Sequence, residues 1–284
     1  PEEFAEIFEG MEIEEQLEIV SELNGHYAAE MFNNMYADDV ADFFNELPAD
    51  QSAEILQAMN KEEAEDVKEL LTYEEGTAGS IMTKEFISIK MSDTVGDVIQ
   101  QLRREGPGAE TIYYLYVVND IGGLVGVTSI RDLITSSDDE VIENIMSTQI
   151  VSVHVTTDQE EVALLIQKYD FFAAPVVTEH NILVGIVTVD DVLDVLEEEA
   201  DEDIGEITAS RGSTDMTLTS AQAALRRAPW IILLMFFGLF TAEVIGRFEE
   251  TLQTVVLLAA FIPMIMGSAG NTGTQSLAVS VRAL

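Results

Sequence analysis

Apolar residues recur at twelve-residue intervals through the first quarter of the chain. The longest row consists of Met11, Leu23, Met35, Leu47, Met59 and Leu71. Within each unit the apolar spacing is helical, and a helix of about two turns is only marginally stable alone. Such units must stack on their neighbours to bury their apolar faces. We therefore predict an acidic, all-α helical superhelix with right-angled corners over residues 1–76.

The next part of the chain uses one pattern twice. Met82–Val98 aligns with Met146–Val162 at an offset of 64 residues. In each copy the hydrophobic pattern has the order strand, helix, strand, strand, helix. This predicts two related α/β domains, at residues 77–143 and 144–203.

A hydroxyl followed by an acid ends the last strand of the first copy. Ser129 closes the strand, and Asp132 follows in the first turn of the next helix. Hydroxyls at helix N-termini attract phosphate, and an Asp can accept hydrogen bonds from both ribose hydroxyls. The duplicated segments Gly126–Leu133 and Gly185–Val192 resemble paired cystathionine-β-synthase-type (CBS) domains, which bind adenosine nucleotides in the clefts between copies.

That resemblance implies a nucleotide site to which both copies contribute. Asp132 would hold the ribose, with Ser129 and Arg131 near the phosphates. The residues that would enclose the base are Tyr114, Val151, Phe171 and Pro175. The alternative is that Tyr114 and Phe171 are core aromatics and that Asp132 only caps a helix.

The last part of the chain is strongly apolar. Pro229–Gly246 is long enough to cross about 27 Å at 1.5 Å per residue. Arg226 and Arg227 precede it, and the positive-inside rule then places the earlier domains in the cytoplasm. We predict two transmembrane helices within residues 229–284, preceded by a connector helix over residues 204–228. A buried core helix is the alternative for the first of them.

The second apolar stretch contains a polar run that is rich in glycine. Polar backbone at membrane depth persists only where protein or a water-filled cavity supplies hydrogen-bond partners. The run is therefore a candidate lining for a permeation path. Its candidate pore-lining residues are Gly267, Gly270, Asn271, Gly273 and Gln275.

The chain has a net charge of −40, and its excess of acidic residues lies before residue 226. This charge indicates the class of partner. It excludes nucleic acid, because phosphate binding needs a basic face, and it favours cations. Nine carboxylates lie within residues 190–203, and oxygen ligands favour Mg²⁺ or Ca²⁺. The alternative is a solvated acidic surface, which would include Asp38 and Asp42. The chain has no Cys and no nucleophile–base or phosphate-loop pattern, so we do not expect an enzyme.

Taken together, these features resemble the MgtE family of magnesium channels and transporters. The most specific motif is the run Pro263–Ser276, and Tyr73–Glu75, Ala78–Thr83 and Ala109–Tyr114 are similar to other segments of that family. The family has five membrane helices per subunit and works as a homodimer in the cell (inner) membrane, with its N-terminal domains in the cytoplasm. The chain starts without Met and stops within an apolar run, so we expect a fragment that lacks the later helices.

The resemblance also implies a mechanism. Intracellular Mg²⁺ would bind between the helical domain, the CBS pair and the acidic tail, draw the dimer together and close the pore. ATP or another adenosine nucleotide would tune this response. The matching Mg²⁺ ligands are Asp38, Asp42, Asp158, Glu160, Asp170, Asp191, Glu199, Glu202 and Asp203. The alternative function is a CBS nucleotide sensor that regulates a different membrane transport activity.

Overall fold

The computed structural model describes residues 1–11, 13–207 and 220–281. The chain divides into two compact units, Pro1–Val195 and Leu196–Leu284. The first unit contains the helical repeat and both α/β copies. The second unit contains the apolar helices.

Short helices stack in two rows in the N-terminal domain. They are α1 (Glu2–Glu9), α2 (Ile13–Glu22), α3 (Gly25–Phe32), α4 (Ala37–Glu46), α5 (Ala49–Ala58) and α6 (Lys61–Leu70). From α2 onwards each helix begins twelve residues after the one before it, so the predicted helical repeat is confirmed. Helix α3 contacts α1 and α5, and α4 contacts α6. Phe8, Phe32 and Phe43 form the aromatic centre, with ring centroids 5.4 to 5.9 Å apart.

Both α/β copies follow the predicted order of elements. Copy 1 contains β1 (Ser88–Lys90), α7 (Val95–Glu105), β2 (Tyr114–Val118), β3 (Leu124–Ser129) and α8 (Ile130–Thr135), and a short helix α9 (Ile142–Ile145) follows. Copy 2 contains β4 (Val153–His154), α10 (Gln159–Tyr169), β5 (Ala173–Val177), β6 (Leu183–Thr188) and α11 (Val189–Ile207). In each copy the first strand pairs in parallel with the second, and the second pairs antiparallel with the third.

The two copies exchange backbone hydrogen bonds. The segment that leads into copy 1 bridges to copy 2 at Thr83 and Ile186, and the segment that leads into copy 2 bridges to copy 1 at Ser147 and Val127. Tyr116 packs in one apolar cluster with residues of β5 and β6. The pair therefore shares a core.

The second unit contains α12 (Ser220–Gly246), α13 (Glu249–Thr254) and α14 (Val256–Val281). In the described part of the chain, one helix is long and apolar enough to cross a membrane: Arg227–Gly246, with mean hydropathy 2.0. The predicted second span is not confirmed by this criterion. The predicted connector lies partly outside the described residues, because α11 ends at Ile207 and α12 begins at Ser220.

The polar, glycine-rich run does not interrupt α14, which is helical throughout Val256–Val281. The Thr272 hydroxyl donates to the carbonyl of Ser268 at 2.9 Å, and the Thr274 hydroxyl donates to that of Gly270 at 3.1 Å. The helix therefore satisfies these hydroxyl donors itself.

Candidate functional site

Three acidic side chains from distant parts of the first unit meet in one cluster. Asp38, Glu110 and Asp191 each place a carboxylate oxygen within 4.8 Å of the other two. Asp38 lies in the first turn of α4, and Asp191 lies in the first turn of α11. The positive ends of two helix dipoles therefore lie close to the cluster. Glu110 comes from the loop before β2.

Local hydrogen bonds fix the backbone around this carboxylate cluster. The backbone N–H and the hydroxyl of Thr188 both donate to Oδ2 of Asp191, at 3.0 and 2.6 Å. The backbone N–H of Ala37 donates to the Glu85 carboxylate at 3.3 Å, and that of Glu110 donates to the Glu85 carbonyl at 2.9 Å. Glu85 thus ties α4 to the loop that carries Glu110.

The electrostatics of the cluster disfavour negative charge. Burial, followed by the charges of Asp191 and its acidic neighbours, raises the pKa of Asp38 well above its usual range. Burial raises the pKa of Glu110 to about 7, although the nearby side chains of Thr83 and Thr188 oppose that shift. Among the described residues, Oδ1 of Asp38 and Oε2 of Glu110 are buried without a hydrogen-bond partner.

The cluster therefore has the chemistry of a site for a hard divalent cation. Two carboxylates about 4 Å apart repel each other by roughly 4 kcal/mol at an effective dielectric constant of 20. Mg²⁺ is bound in proteins by one or two carboxylates, and it usually keeps several waters. Mg²⁺ would reverse the repulsion and would provide a partner for both buried oxygens.

The other predicted metal ligands lie at α10, in the later part of α11 and in α4. Asp158 caps α10 by accepting a hydrogen bond from the Glu160 backbone N–H at 3.0 Å, and Asp170 ends the same helix. At 1.5 Å per residue the two ends of α10 lie about 16 Å apart. Within one chain, Asp170 is therefore too far from Asp158 and Glu160 for the three to bind the same ion. Glu199, Glu202 and Asp203 lie in α11. Asp42 lies in α4 beyond the cluster, and its charge helps to raise the pKa of Asp39.

A second candidate site is a cavity of about 240 Å³ between the two copies. Its lining residues are Tyr114, Tyr116, Val127, Ser147, Gln149, Ile150, Val151, Phe171, Ala173 and Pro175. All four residues predicted to enclose a base are in this set. Tyr114 and Phe171 border this cavity together, and their ring centroids lie 6.3 Å apart.

The residues predicted for the ribose and phosphates, Ser129, Arg131 and Asp132, do not line this cavity but lie at or just after the end of a strand that does. Tyr114 pairs with Ser129 across β2 and β3, and Ser129 is followed by α8. Asp132 caps α8, accepting at Oδ2 from the Ser129 hydroxyl at 2.6 Å and from the Ser129 backbone N–H at 3.2 Å. Both bonds use one carboxylate oxygen, so the cap does not engage Oδ1. Arg131 is exposed in the first turn of α8.

Sequence reasoning did not identify Glu110 or Tyr116 as functional. Glu110 lies in an irregular loop, where no periodic pattern marks it. The signal available was its place within Ala109–Tyr114, which resembles a family segment. Tyr116 lies in an apolar strand pattern that favours a plain core role.

The fold and these sites define a class of protein, in which a helical repeat domain joins a CBS pair. Residues 1–76 match the family described as the MgtE intracellular N domain, and residues 78–139 and 142–198 match the CBS domain. The chain belongs to the MgtE family.

Relatives and solved structures agree with this assignment. The magnesium transporter MgtE of Bacillus subtilis is 48% identical over 215 residues, which is 76% of this chain and 48% of that protein. The crystal structure of the soluble part of a magnesium transporter is 45% identical, with a TM-score of 0.67, covering 70% of this chain and 79% of that one. A cytosolic domain of the Mg²⁺ channel MgtE, solved in complex with ATP, is 42% identical, with a TM-score of 0.64, covering 67% and 78%. The chain spans about half the length of the curated relatives it matches.

Proposed function

We propose that this chain is the Mg²⁺-sensing part, together with the first membrane segment, of a magnesium channel or transporter subunit. The observation that carries the proposal is the cluster of Asp38, Glu110 and Asp191, in which Asp38 is buried and the other two are half-buried. It joins the helical domain to both CBS copies, so a cation bound there links all three. The relatives named magnesium transporters support Mg²⁺ as both regulator and substrate.

The proposed gating follows from charge. When Mg²⁺ is bound, the helical domain and the CBS pair are held together, and the connector over residues 204–228 closes the pore. When Mg²⁺ falls, repulsion between carboxylates separates the domains and the pore opens. This requires that Mg²⁺ bind the closed state more tightly than the open state. The buried, unpaired oxygens of Asp38 and Glu110 support such a difference, because domain separation would expose them to water.

We propose that the subunit functions as a homodimer. Ile134 of α8 and Leu193 of α11 occupy equivalent positions in the two copies, and they are 72% and 61% exposed. Because both copies expose an apolar residue at this position, the two positions together would form a surface that packs against a second subunit. Between subunits, Asp158 and Glu160 of one chain and Asp170 of the other would be able to share a cation. The acidic residues Glu199, Glu202 and Asp203 would add to this Mg²⁺ response.

We propose that the 240 Å³ cavity binds ATP or another adenosine nucleotide. The aromatic and apolar walls suit a base. Ser129 pairs with the lining residue Tyr114, and Arg131 and Asp132 follow it in α8, so a ribose and phosphates would project toward them. The ATP complex of a relative supports this ligand. The nucleotide would act as a regulatory ligand and would not take part in a reaction.

We propose that α12 anchors the subunit in the cell membrane with the N-terminal domains in the cytoplasm. Arg227 begins the apolar span, as the positive-inside rule requires for that orientation. Gly267, Gly270, Asn271, Gly273 and Gln275 of α14 would line part of the permeation path.

The first prediction tests the sensor through Asp38→Asn. In the wild type, 10 mM MgCl₂ is expected to raise the melting temperature of the cytosolic domains by a few degrees, as binding at about ten times Kd contributes about 1.4 kcal/mol. Asp38→Asn is expected to lose at least half of this shift. Asp120→Asn, at an exposed position in the β2–β3 turn, is the matched control and should keep it.

A sodium chloride solution of equal ionic strength is the second control, because screening alone stabilises so acidic a protein. Limited proteolysis should show Mg²⁺-dependent protection of residues 60–80 and 200–228. Equal cleavage with and without Mg²⁺ would exclude the gating model. A melting shift with ATP but none with Mg²⁺ would favour a CBS nucleotide sensor for a different transport activity.

A further inference from the structure

Lys84 makes a contact between the helical domain and the CBS pair that does not involve the carboxylate cluster. It lies in the segment that leads into copy 1, next to Thr83, which bridges to Ile186 of copy 2. Its amino group donates to Oε2 of Glu69, in the last turn of α6, at 2.7 Å, and its side chain is 15% exposed. Two opposite charges at this distance, with one partner largely buried, attract each other whether or not a divalent cation is present.

The residues around this ion pair attach the end of the helical domain to the CBS pair. The Tyr73 hydroxyl donates to Oε1 of Glu69 at 3.3 Å, and the Tyr73 ring packs against Gly79. Backbone hydrogen bonds of 2.7 to 2.9 Å join residues 76–79 to copy 2 at Val155, Thr157 and Gln159. These contacts need no cation, so this attachment, which we call the α6 edge, does not depend on Mg²⁺.

The next residue, Glu85, contacts a different part of the helical domain. Its carboxylate accepts a hydrogen bond from the backbone N–H of Ala37, at the start of α4, at 3.3 Å. Helix α4 also carries Asp38 of the carboxylate cluster, where like charges repel unless a cation lies between them. We call this attachment the α4 edge. Without Mg²⁺, the helical domain is therefore attracted to the CBS pair at one edge and repelled at the other.

We propose that Lys84 and Glu69 form a pivot, so that loss of Mg²⁺ turns the helical domain away from the CBS pair at the α4 edge while the α6 edge stays in place. The proposal rests on the Mg²⁺ gating proposed above. It makes the separation of the domains a hinge movement, after which Asp38 returns to the same partners when Mg²⁺ binds again.

The test measures one distance for each edge. The chain has no Cys, so pairs of introduced cysteines can carry spin labels. Asn34→Cys with Glu179→Cys reports on the α4 edge, and Lys68→Cys with Glu179→Cys reports on the α6 edge; all three positions are exposed. The full chain is used, and labelled chains are diluted with unlabelled chains so that only distances within one chain are recorded.

The expected changes follow from the packing of the helices. Helices α4 and α6 contact each other, and packed helices lie about 9 Å apart, so a turn of about 30° about α6 moves α4 by about 5 Å. At pH 8.5, where Glu110 is ionised, removal of Mg²⁺ should change the 34–179 distance by about 5 Å or more and the 68–179 distance by less than about 2 Å.

Variants of the ion pair test the pivot itself. In Lys84→Met without Mg²⁺, the 68–179 distance should change as much as the 34–179 distance, whereas Lys84→Arg should behave as the wild type. Glu69→Gln, which removes the other charge at a more exposed position, should have the same effect as Lys84→Met. Lys61→Met is the matched control and should behave as the wild type, because Lys61 pairs with Glu65 within α6, at 3.5 Å.

The outcomes separate the pivot from the gating model. If both distances change equally in the wild type when Mg²⁺ is removed, the pivot is wrong and the gating model stands. The same holds if Lys84→Met and Glu69→Gln both behave as the wild type. If neither distance in the wild type responds to Mg²⁺, both proposals are overturned.

Discussion

The surroundings of the Asp38 carboxyl group favour its protonated form without a cation and its ionised form with one. It is 5% exposed, and its acidic neighbours Asp39, Glu110 and Asp191 all raise its pKa. Without a cation, protonation removes the repulsion. With Mg²⁺, the ionised form would have a partner. In the proposed sensor, this one buried residue would therefore couple proton binding, metal binding and domain contact.

The pH dependence of the metal-free protein follows from the same residues. Burial raises the pKa of Asp39 from 3.8 to about 8, and that of Glu110 from 4.5 to about 7. The folded state therefore binds more protons than the unfolded state between about pH 4 and 8, so stability falls as pH rises through that window. Between pH 6 and 9 we expect a loss of about 2 kcal/mol, after allowance for solvent screening.

Urea titrations at each pH would measure this loss, with and without Mg²⁺. Magnesium should reverse the trend, because it binds the ionised carboxylates and competes with protons. A metal-free stability that rises between pH 6 and 9 would contradict the assignment of these raised pKa values.

Glu110→Gln tests the ligand that sequence analysis did not identify. At pH 8.5 the variant should be more stable than the metal-free wild type by about 1 kcal/mol, since a buried charge is removed. Its Mg²⁺-induced melting shift should be smaller than that of the wild type. Glu179→Gln, at an exposed position between β5 and β6, should change neither quantity. An unchanged Mg²⁺ response in Glu110→Gln would remove Glu110 from the site.

At the scale of elements, the same helix N-cap occurs three times in different surroundings. Thr94 with Asp97, Ser129 with Asp132, and Thr188 with Asp191 each place a hydroxyl three residues before an acid at a helix start. The first lies on the surface, the second begins at the strand partner of Tyr114, which lines the cavity between the copies, and the third lies in the carboxylate cluster. The local sequence specifies the cap in every case, and the packing of neighbouring elements decides whether the acid has a further role.

Gly79 marks a close approach between the helical domain and the CBS pair. A Cβ there would lie 2.7 Å from the Tyr73 ring and 2.9 Å from the carbonyl oxygen of Val155. Since a backbone atom cannot move aside cheaply, Gly79→Ala should destabilise the protein by about 2 kcal/mol. Gly25→Ala, where a Cβ would meet nothing within 4 Å, should be neutral or slightly stabilising. Chemical denaturation of both variants checks this, and equal stabilities would contradict the packing.

At the scale of the whole molecule, the two CBS copies fold as one body. Each is completed by a leading segment that bridges to the other, at Thr83 with Ile186 and at Ser147 with Val127. The acidic cluster depends on the same arrangement, because it joins α4, a loop of copy 1 and α11. Contacts between residues so distant in sequence form only when the complete module is folded.

This exchange predicts that neither copy is stable alone. A fragment of residues 77–203 should melt cooperatively, whereas residues 77–143 alone should lack a cooperative transition, since the Tyr116 cluster would lose its partners from β5 and β6. Circular dichroism during heating separates the two outcomes. A cooperative transition in the isolated copy would show that the exchange is not required.

Much of the fold was predictable because it depends on local periodicity. The twelve-residue rows gave the helix starts, and the duplicated pattern gave the order of strands and helices. The role of Tyr114 and Phe171 in one cavity followed from the repeat and a resemblance. Glu110 and the pair of Lys84 with Glu69 were not predictable, because a loop acid and an ion pair between distant segments have no distinctive spacing. The composition of the polar run in α14 did not show that it is helical, since the hydroxyls of Thr272 and Thr274 find their partners within the helix itself.

The sequence by itself determined the repeat, the duplicated α/β unit, the acidic charge and an apolar segment long enough to span a membrane. These properties depend on composition and on spacings of a few residues, and such local patterns determine secondary structure directly. Only the tertiary structure decided that Asp38, Glu110 and Asp191 share one site and that Lys84 pairs with Glu69 of the helical domain. Burial and contacts between distant segments arise only when the elements pack together. That packing makes side chains that look ordinary in the sequence candidates for function.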